Sequence, residues 1–177
     1  SRNLAIDYSK GNYISFLDSD DSWSPEKLDI QISYMEETGA LFTYGNYKVV
    51  DKRTDEQVSS VNAPDVLTYR NLLKGCPIGC LTAAYNQDVL GKVYMPDVRS
   101  GQDWGLWLAL TRKGIKANKY PGCEALYYVG KNSLSSNKLQ KTLNIYKIYR
   151  SEENLNLLSS FWYLFLHTLY VIQKGIR

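Results

Sequence analysis

The sequence predicts an α/β fold, a mixed sheet flanked by helices with a helical C-terminal tail. Three observations predict it. Tyr13 to Leu17 is a nearly continuous apolar run of aromatic and β-branched type, the pattern of a central strand buried on both faces of a sheet. That run ends in Asp18-Ser19-Asp20-Asp21, and a helix follows, with Ser24 as candidate N-cap, Pro25 at its start and Leu28, Ile32 and Met35 at helical spacing up to Thr38-Gly39. Beyond it, short strand patterns and helical periods continue to alternate.

Taken in order, Leu4, Ala5, Ile6 and Tyr8 form the apolar part of a short helix that stops at Lys10-Gly11. Ala40 to Val50 alternates as a strand, and the charged stretch Asp51 to Gln57 reads as a hairpin or surface loop. Thr68 to Leu73 is a short helix broken by Cys76-Pro77-Ile78-Gly79-Cys80, after which Leu81 to Tyr85 is a strand candidate. Gly101-Gln102-Asp103 opens a helix with Leu106, Trp107 and Leu110 inward and a stop at Lys113-Gly114. Ile115 to Asn118 and Ala125 to Val129 complete the strands, Asn132 to Asn137 is a polar loop, and the remainder is helical.

The 177 residues carry one domain or part of a larger one, and 44% apolar with 22% charged residues excludes a disordered, collagen-like or disulfide-dense chain. Twenty-one Lys and Arg against 18 Asp and Glu give +3, with no basic stripe, so nucleic acid is not an expected partner. Cys76, Cys80 and Cys123 with a single histidine lack zinc spacing and read as reduced thiols, a Cys76–Cys80 bridge staying open only for an oxidising compartment. The N-terminus has neither an initiator Met nor a signal-peptide pattern and reads as the middle of a protein.

In open α/β sheets the ligand crevice lies beyond the carboxyl ends of the strands, where the acidic cluster stands. Three carboxylates within four residues repel one another, and a hard divalent cation relieves that repulsion, so the cluster predicts Mg2+ or Mn2+. Asp18 and Asp20, two apart, can share one side and meet the cation or a ribose hydroxyl; Asp21 is the candidate to cap local backbone. A nucleoside diphosphate would complete such a cation's coordination. The plain alternative is an Asp-rich turn capping the next helix. A calcium loop of EF-hand type is excluded, because Trp23 takes the required glycine position and Asp29 that of the bidentate Glu.

Ser-Arg-Asn-x-x-Ile, then Lys-Gly-Asn-Tyr-Ile-Ser-Phe-Leu-Asp-Ser-Asp-Asp-Ser-Trp-Ser-Pro-Glu-Lys-Leu, and later Gly-Gln-Asp-Trp-Gly-Leu-Trp-Leu, resemble a family 2 glycosyltransferase of the GT-A (Rossmann-like) fold. The resemblance covers about residues 1–137, a partial catalytic domain, and leaves 138–177 as a helical extension. It implies inverting transfer from a nucleotide-diphosphate sugar to a saccharide or lipid-linked hydroxyl acceptor, in cell-surface polysaccharide or glycolipid synthesis. Carried over, Asp20 is the metal ligand with Asp18 beside it and nearer the nucleotide, Arg2 reaches the nucleotide or its phosphates, and Asp103 is the general base. Gln102 stands where the family has Glu. The Arg or His that the family often carries before its Ser-x-Ser loop is absent, which makes Lys131 the phosphate-contact candidate. The chain reads as starting after the strands that hold the nucleotide base, so it is N-terminally truncated, activity of this stretch alone is not expected, and a sheet edge is left bare.

Against these roles, Asp103 by itself is an ordinary helix cap, Trp107 is core and Trp104 is open between core and sugar stacking. The 76–80 turn falls on the acceptor side of the family pattern but suits a structural turn. Residues 155–172 lack charge and carry Phe161, Trp162, Tyr163, Phe165 and Tyr170; with Asn156, Ser159, Ser160, His167 and Thr168 among them they suit an interfacial or core-packed helix rather than a span, or a homo-oligomer contact. The expected place is the cytoplasm, peripheral at the inner face of the cell membrane. The alternatives are a haloacid-dehalogenase-like phosphotransferase, which needs a later Lys and acidic pair, and a non-catalytic membrane- or saccharide-binding module.

Overall fold

The computed structural model describes residues 2–123, 125–130 and 138–175. Helix α1 (Arg2–Tyr8) leads into β1 (Tyr13–Ser15), and β2 (Ser22–Trp23) precedes α2 (Lys27–Thr38). Then come β3 (Phe42–Tyr44), β4 (Tyr47–Asp51), β5 (Gln57–Val61), β6 (Val66–Leu67), α3 (Tyr69–Lys74), β7 (Ala84–Asn86) and α4 (Gln87–Leu90). Helix α5 (Gln102–Arg112), β8 (Ala117–Lys119), β9 (Ala125–Val129), α6 (Lys138–Lys147), a π-helical turn (Ile148–Glu152) and α7 (Leu157–Gln173) follow.

The strands form two mixed sheets, β1-β7-β3-β8-β6 and β2-β9-β4-β5. Only β3 with β8 and β4 with β9 run parallel; the other neighbours are antiparallel. The core lies between the first sheet and α5, where Phe42, Tyr44, Tyr85, Leu106, Trp107 and Leu110 are fully enclosed. Ile148 and Tyr149 of the π turn join the same core.

Four expectations are corrected. The run Tyr13 to Leu17 is not a central strand: pairing stops at Ser15 and β1 lies at the edge of its sheet, because Phe16 leaves the ladder to pack on Tyr85 and Trp107. The segment Ala40 to Val50 breaks at Gly45-Asn46 into two strands that belong to different sheets. Ser24 is not the N-cap of α2, since Glu26 takes that position without a side-chain cap bond. Leu28 is exposed, and α2 instead buries Lys27, Gln31 and Met35, a stripe at one-turn spacing. Two polar members of that stripe are held by bonds: Gln31 donates to Thr43 Oγ1 at 3.0 Å and Thr82 O at 2.9 Å, and Lys27 Nζ donates to Ser15 Oγ at 3.0 Å and lies 3.7 Å from the Trp23 ring centre.

Candidate active site

Phe16 places the site. Its ring meets Trp107 edge-on at 5.6 Å and lies 6.5 Å from Tyr85, which turns Leu17 and Asp18 out beyond the carboxyl end of β1. The acidic segment closes as a turn, with Asp21 N donating to Asp18 O at 3.0 Å. It is tied down on its far side by Trp23, whose Nε1 donates to Leu81 O at 2.7 Å.

The turn gives its three carboxylates different surroundings. Asp18 Oδ1 accepts from Arg2 Nη2 at 2.5 Å. Asp21 Oδ1 accepts from the Tyr128 N–H of β9 at 3.1 Å, a distant strand in place of the local backbone expected, and burial pushes its pKa up. Asp20 is exposed, and among the described residues no hydrogen bond or ion pair holds its side chain.

Arg2 connects this turn to α5. Its Nη1 donates to Gln102 Oε1 at 3.4 Å, while Gln102 Nε2 donates to Val98 O at 2.8 Å. The amide at Gln102 thus accepts on one end and donates on the other, which a carboxylate could not do. The hydrogen bond to Asp18 pushes the Arg2 pKa up. With side chains 42% and 41% exposed, the Arg2–Asp18 pair is a surface ion pair worth about 0.2–1 kcal/mol.

Asp103 is the second residue of α5, which starts from Gly101 at φ +80°, a left-handed conformation suited to glycine. Two effects oppose each other on its carboxyl group. Burial pushes the pKa up and Asp18 adds to that, whereas the backbone N–H groups of Trp104 and of Asp103 itself, and Arg2, pull it down; burial prevails. Gly101, not Asp103, is the N-cap of α5, so Asp103 combines a place in the first helical turn with a raised pKa. Asp103 is within electrostatic reach of Arg2 and Asp18, and its charge also acts on Cys76, Cys80 and Tyr47.

A cavity of about 630 Å³, the size of a small-molecule site, opens beside Arg2, Leu17, Asp18, Ser19, Pro96 and Gln102. Pro96 reaches it because Gly105 of α5 has no side chain; a Cβ there would run into the proline ring. Asp20 and Asp103 are not lining residues of this cavity.

Two tyrosines that the sequence did not mark out lie within electrostatic reach of these carboxylates. Tyr47 and Tyr127 pack edge to face at 6.1 Å; Tyr127 senses Asp18, Asp20 and Asp21, and Tyr47, pushed up to about 12 by burial, senses Asp21 and Asp103. They meet through the parallel pairing of β4 with β9, a contact between segments far apart in sequence that no local pattern signals. Trp104 is core: it is buried and donates from Nε1 to Leu72 O at 2.9 Å. Cys76 and Cys80 are free thiols, Cys80 pushed up to about 12 by burial and Cys76 well above its usual value, so both stay protonated. Lys131 and the Ser-x-Ser loop lie outside the described residues.

No group of three or more His, Cys, Asp or Glu side chains gathers as a metal cage among the described residues. The donor set still suits a hard cation whose coordination a substrate completes. Mg2+ takes one or two carboxylates with phosphates and water in the remaining positions, and Asp20 offers an exposed, unengaged carboxylate next to Asp18.

Residues 1–95 match the family described as Glycosyl transferase family 2. TuaG of Bacillus subtilis (strain 168), named as a teichuronic acid biosynthesis glycosyltransferase, is 33% identical over 176 residues, 99% of this chain and 70% of that protein. WfgD of Escherichia coli, named UDP-Glc:alpha-D-GlcNAc-diphosphoundecaprenol beta-1,3-glucosyltransferase, is 37% identical over 142 residues, 80% of this chain and 55% of its own length. The crystal structure of S. aureus TarS residues 1–349 in complex with UDP superposes with a TM-score of 0.63 at 16% identity, covering 97% of this chain and 50% of that one. The fold is therefore the mixed α/β arrangement of GT-A glycosyltransferases.

Proposed function

Because the chain belongs to glycosyl transferase family 2, we propose that it takes part in an inverting transfer of a sugar from a nucleotide-diphosphate donor to a hydroxyl of a lipid-linked saccharide. The observation that carries this reading is the cluster of Arg2, Asp18 and Gln102 at the carboxyl end of β1, with Asp103, the chain neighbour of Gln102, within electrostatic reach of Arg2 and Asp18.

In this reading the diphosphate lies against Arg2, which exchanges its weak bond to Asp18 for charge-assisted bonds to phosphate oxygens. Asp18, released from Arg2, turns toward the nucleotide. Gln102, fixed by Val98 O, keeps the guanidinium aimed at the cleft. Asp20, with Asp18 beside it, would hold Mg2+ or Mn2+, which supplies positive charge to the diphosphate as it departs. Asp103 takes the proton of the acceptor hydroxyl as that oxygen attacks the anomeric carbon from the face opposite the nucleotide, and one displacement inverts the centre. Burial suits Asp103 to this task, because a raised pKa makes a stronger base than an ordinary aspartate. Lys131 is proposed as a further phosphate contact. The relation to WfgD, which is named for a diphosphoundecaprenol-linked acceptor, supports the acceptor class, and TarS, crystallised with UDP, supports a uridine donor.

Calorimetry of the full-length protein with UDP and with GDP, each with and without Mn2+, tests the donor half. The expected result is UDP binding strengthened by Mn2+ in the wild type and indifferent to Mn2+ in Asp20→Ala. Equal affinity with and without the metal would overturn the assignment of Asp20.

A further inference from the structure

We propose that α7 and α6 together form a docking surface for a bilayer with anionic headgroups. The inner face of α7 presents Ser160, Tyr163, Leu164, His167 and Tyr170 to the protein: Tyr149 and Tyr163 lie 6.2 Å apart, Trp104 and His167 5.1 Å apart, and Tyr170 rests on the Gly75 backbone. The opposite face is apolar and bare. Leu158, Phe161, Trp162, Phe165, Leu169 and Ile172 fall within one stripe about 100° wide at the helical period, with Leu158 84% and Phe165 54% exposed. On α6, Leu139, Leu143 and Tyr146 recur at one-turn spacing, and Tyr146 meets Phe161 ring to ring at 5.6 Å, so the two stripes join. Contiguous apolar surface of this kind marks a binding face.

Charge names the occupant. Residues 138–177 hold six Lys and Arg against two Glu, whereas residues 1–137 hold fifteen against sixteen. Among the side chains described in 138–177, Lys141, Lys147, Arg150 and Lys174 are basic, and of the two Glu, Glu153 is buried and paired with Arg112 at 3.5 Å, which leaves α6, the π-helical turn and α7 basic on balance. A second copy meeting this face symmetrically would bring basic rim against basic rim. An anionic bilayer complements both features, apolar stripe and basic surroundings, as an amphipathic helix lying in the interface does. No helix among the described residues is long and apolar enough to cross a membrane, so the helix lies on the bilayer rather than through it. Through Trp104, the neighbour of Asp103, and the 75–80 turn, α7 sets the cleft beside the bilayer. The docking surface stands on α6 and α7 alone, independent of the donor reading.

Flotation of the full-length protein with vesicles of equal parts phosphatidylglycerol and phosphatidylcholine, and with phosphatidylcholine alone, tests the surface. The expected result is binding to the anionic vesicles that weakens with salt, and a loss of about tenfold or more in Trp162→Ser/Phe165→Ser, from the apolar area removed. The thermal midpoint of that variant should equal the wild type's, which separates lost docking from lost folding. Wild-type protein that fails to float would overturn the proposal, as would a folded variant that floats equally well. A wild-type dimer in sedimentation that the variant converts to monomer would assign the face to a second copy and overturn it too.

Discussion

At the scale of single residues, Asp103 combines two properties that normally exclude each other, a place in the first turn of a helix and a raised pKa. The consequence for stability has a definite sign. A carboxyl group whose folded pKa lies above its ordinary value of 3.8 holds its proton more tightly when folded. Its contribution is therefore favourable below that value and is lost as pH rises through the shifted one. Asp103→Asn should accordingly raise the unfolding temperature at neutral pH, and the gain should vanish in acid below the ordinary carboxylate range; thermal melts across pH check this, and a neutral-pH loss would contradict it. With Asp103 as the proposed base, the same shift should move the acidic limb of kcat/KM for the full-length protein above the usual aspartate range. Asp103 was marked out in the sequence only by its place after the acidic turn in the family pattern, since an Asp in a first helical turn is by itself an ordinary cap. The burial that tunes it was not, since that arises from α5 packing among distant segments.

At the scale of elements, the acidic turn is positioned by the cluster of Phe16, Trp107 and Phe42, the last two rings stacked 5.1 Å apart. Trp107 is fully enclosed and its Nε1 has no partner, so its value is volume rather than hydrogen bonding. Trp107→Ala should cost about 3–5 kcal/mol, and Trp107→Phe, which keeps the ring and removes the unpartnered N–H, much less. Denaturant titration distinguishes them, and equal losses would contradict the packing account. The order of helices and strands could be read from the sequence where period and glycine punctuation coincide, as at Gly101 and Gly114. The inward face of α2 could not. A hydrophobic count points to Leu28, whereas the buried stripe runs through Lys27 and Gln31, polar residues made tolerable inside by Ser15, Trp23, Thr43 and Thr82. The edge position of β1 was hidden for a related reason, because an apolar run does not tell whether its last residues face a neighbouring strand or a helix.

At the scale of the whole molecule, the proposed active site and the proposed docking surface stand on adjoining parts of one core. Arg2 at one end of the sequence and Gln102 far along it meet across the cleft, and α7 backs that cleft with one face while leaving the other apolar. The acidic turn, Arg2 and Asp103 were legible because linear motifs carry them. The tyrosine pair and the joined stripes of α6 and α7 were not, since each is made by two segments meeting in space. In the proposed transfer, Asp103 serves the acceptor hydroxyl while Arg2 and the acidic turn serve the nucleotide. The most direct test compares the full-length enzyme with Asp103→Asn for UDP affinity and for sugar transfer to a lipid-linked saccharide. The account predicts unchanged UDP affinity with kcat lowered by about 10²–10⁴-fold. A kcat near the wild type's, or a loss of UDP affinity as large as the loss of turnover, would contradict it.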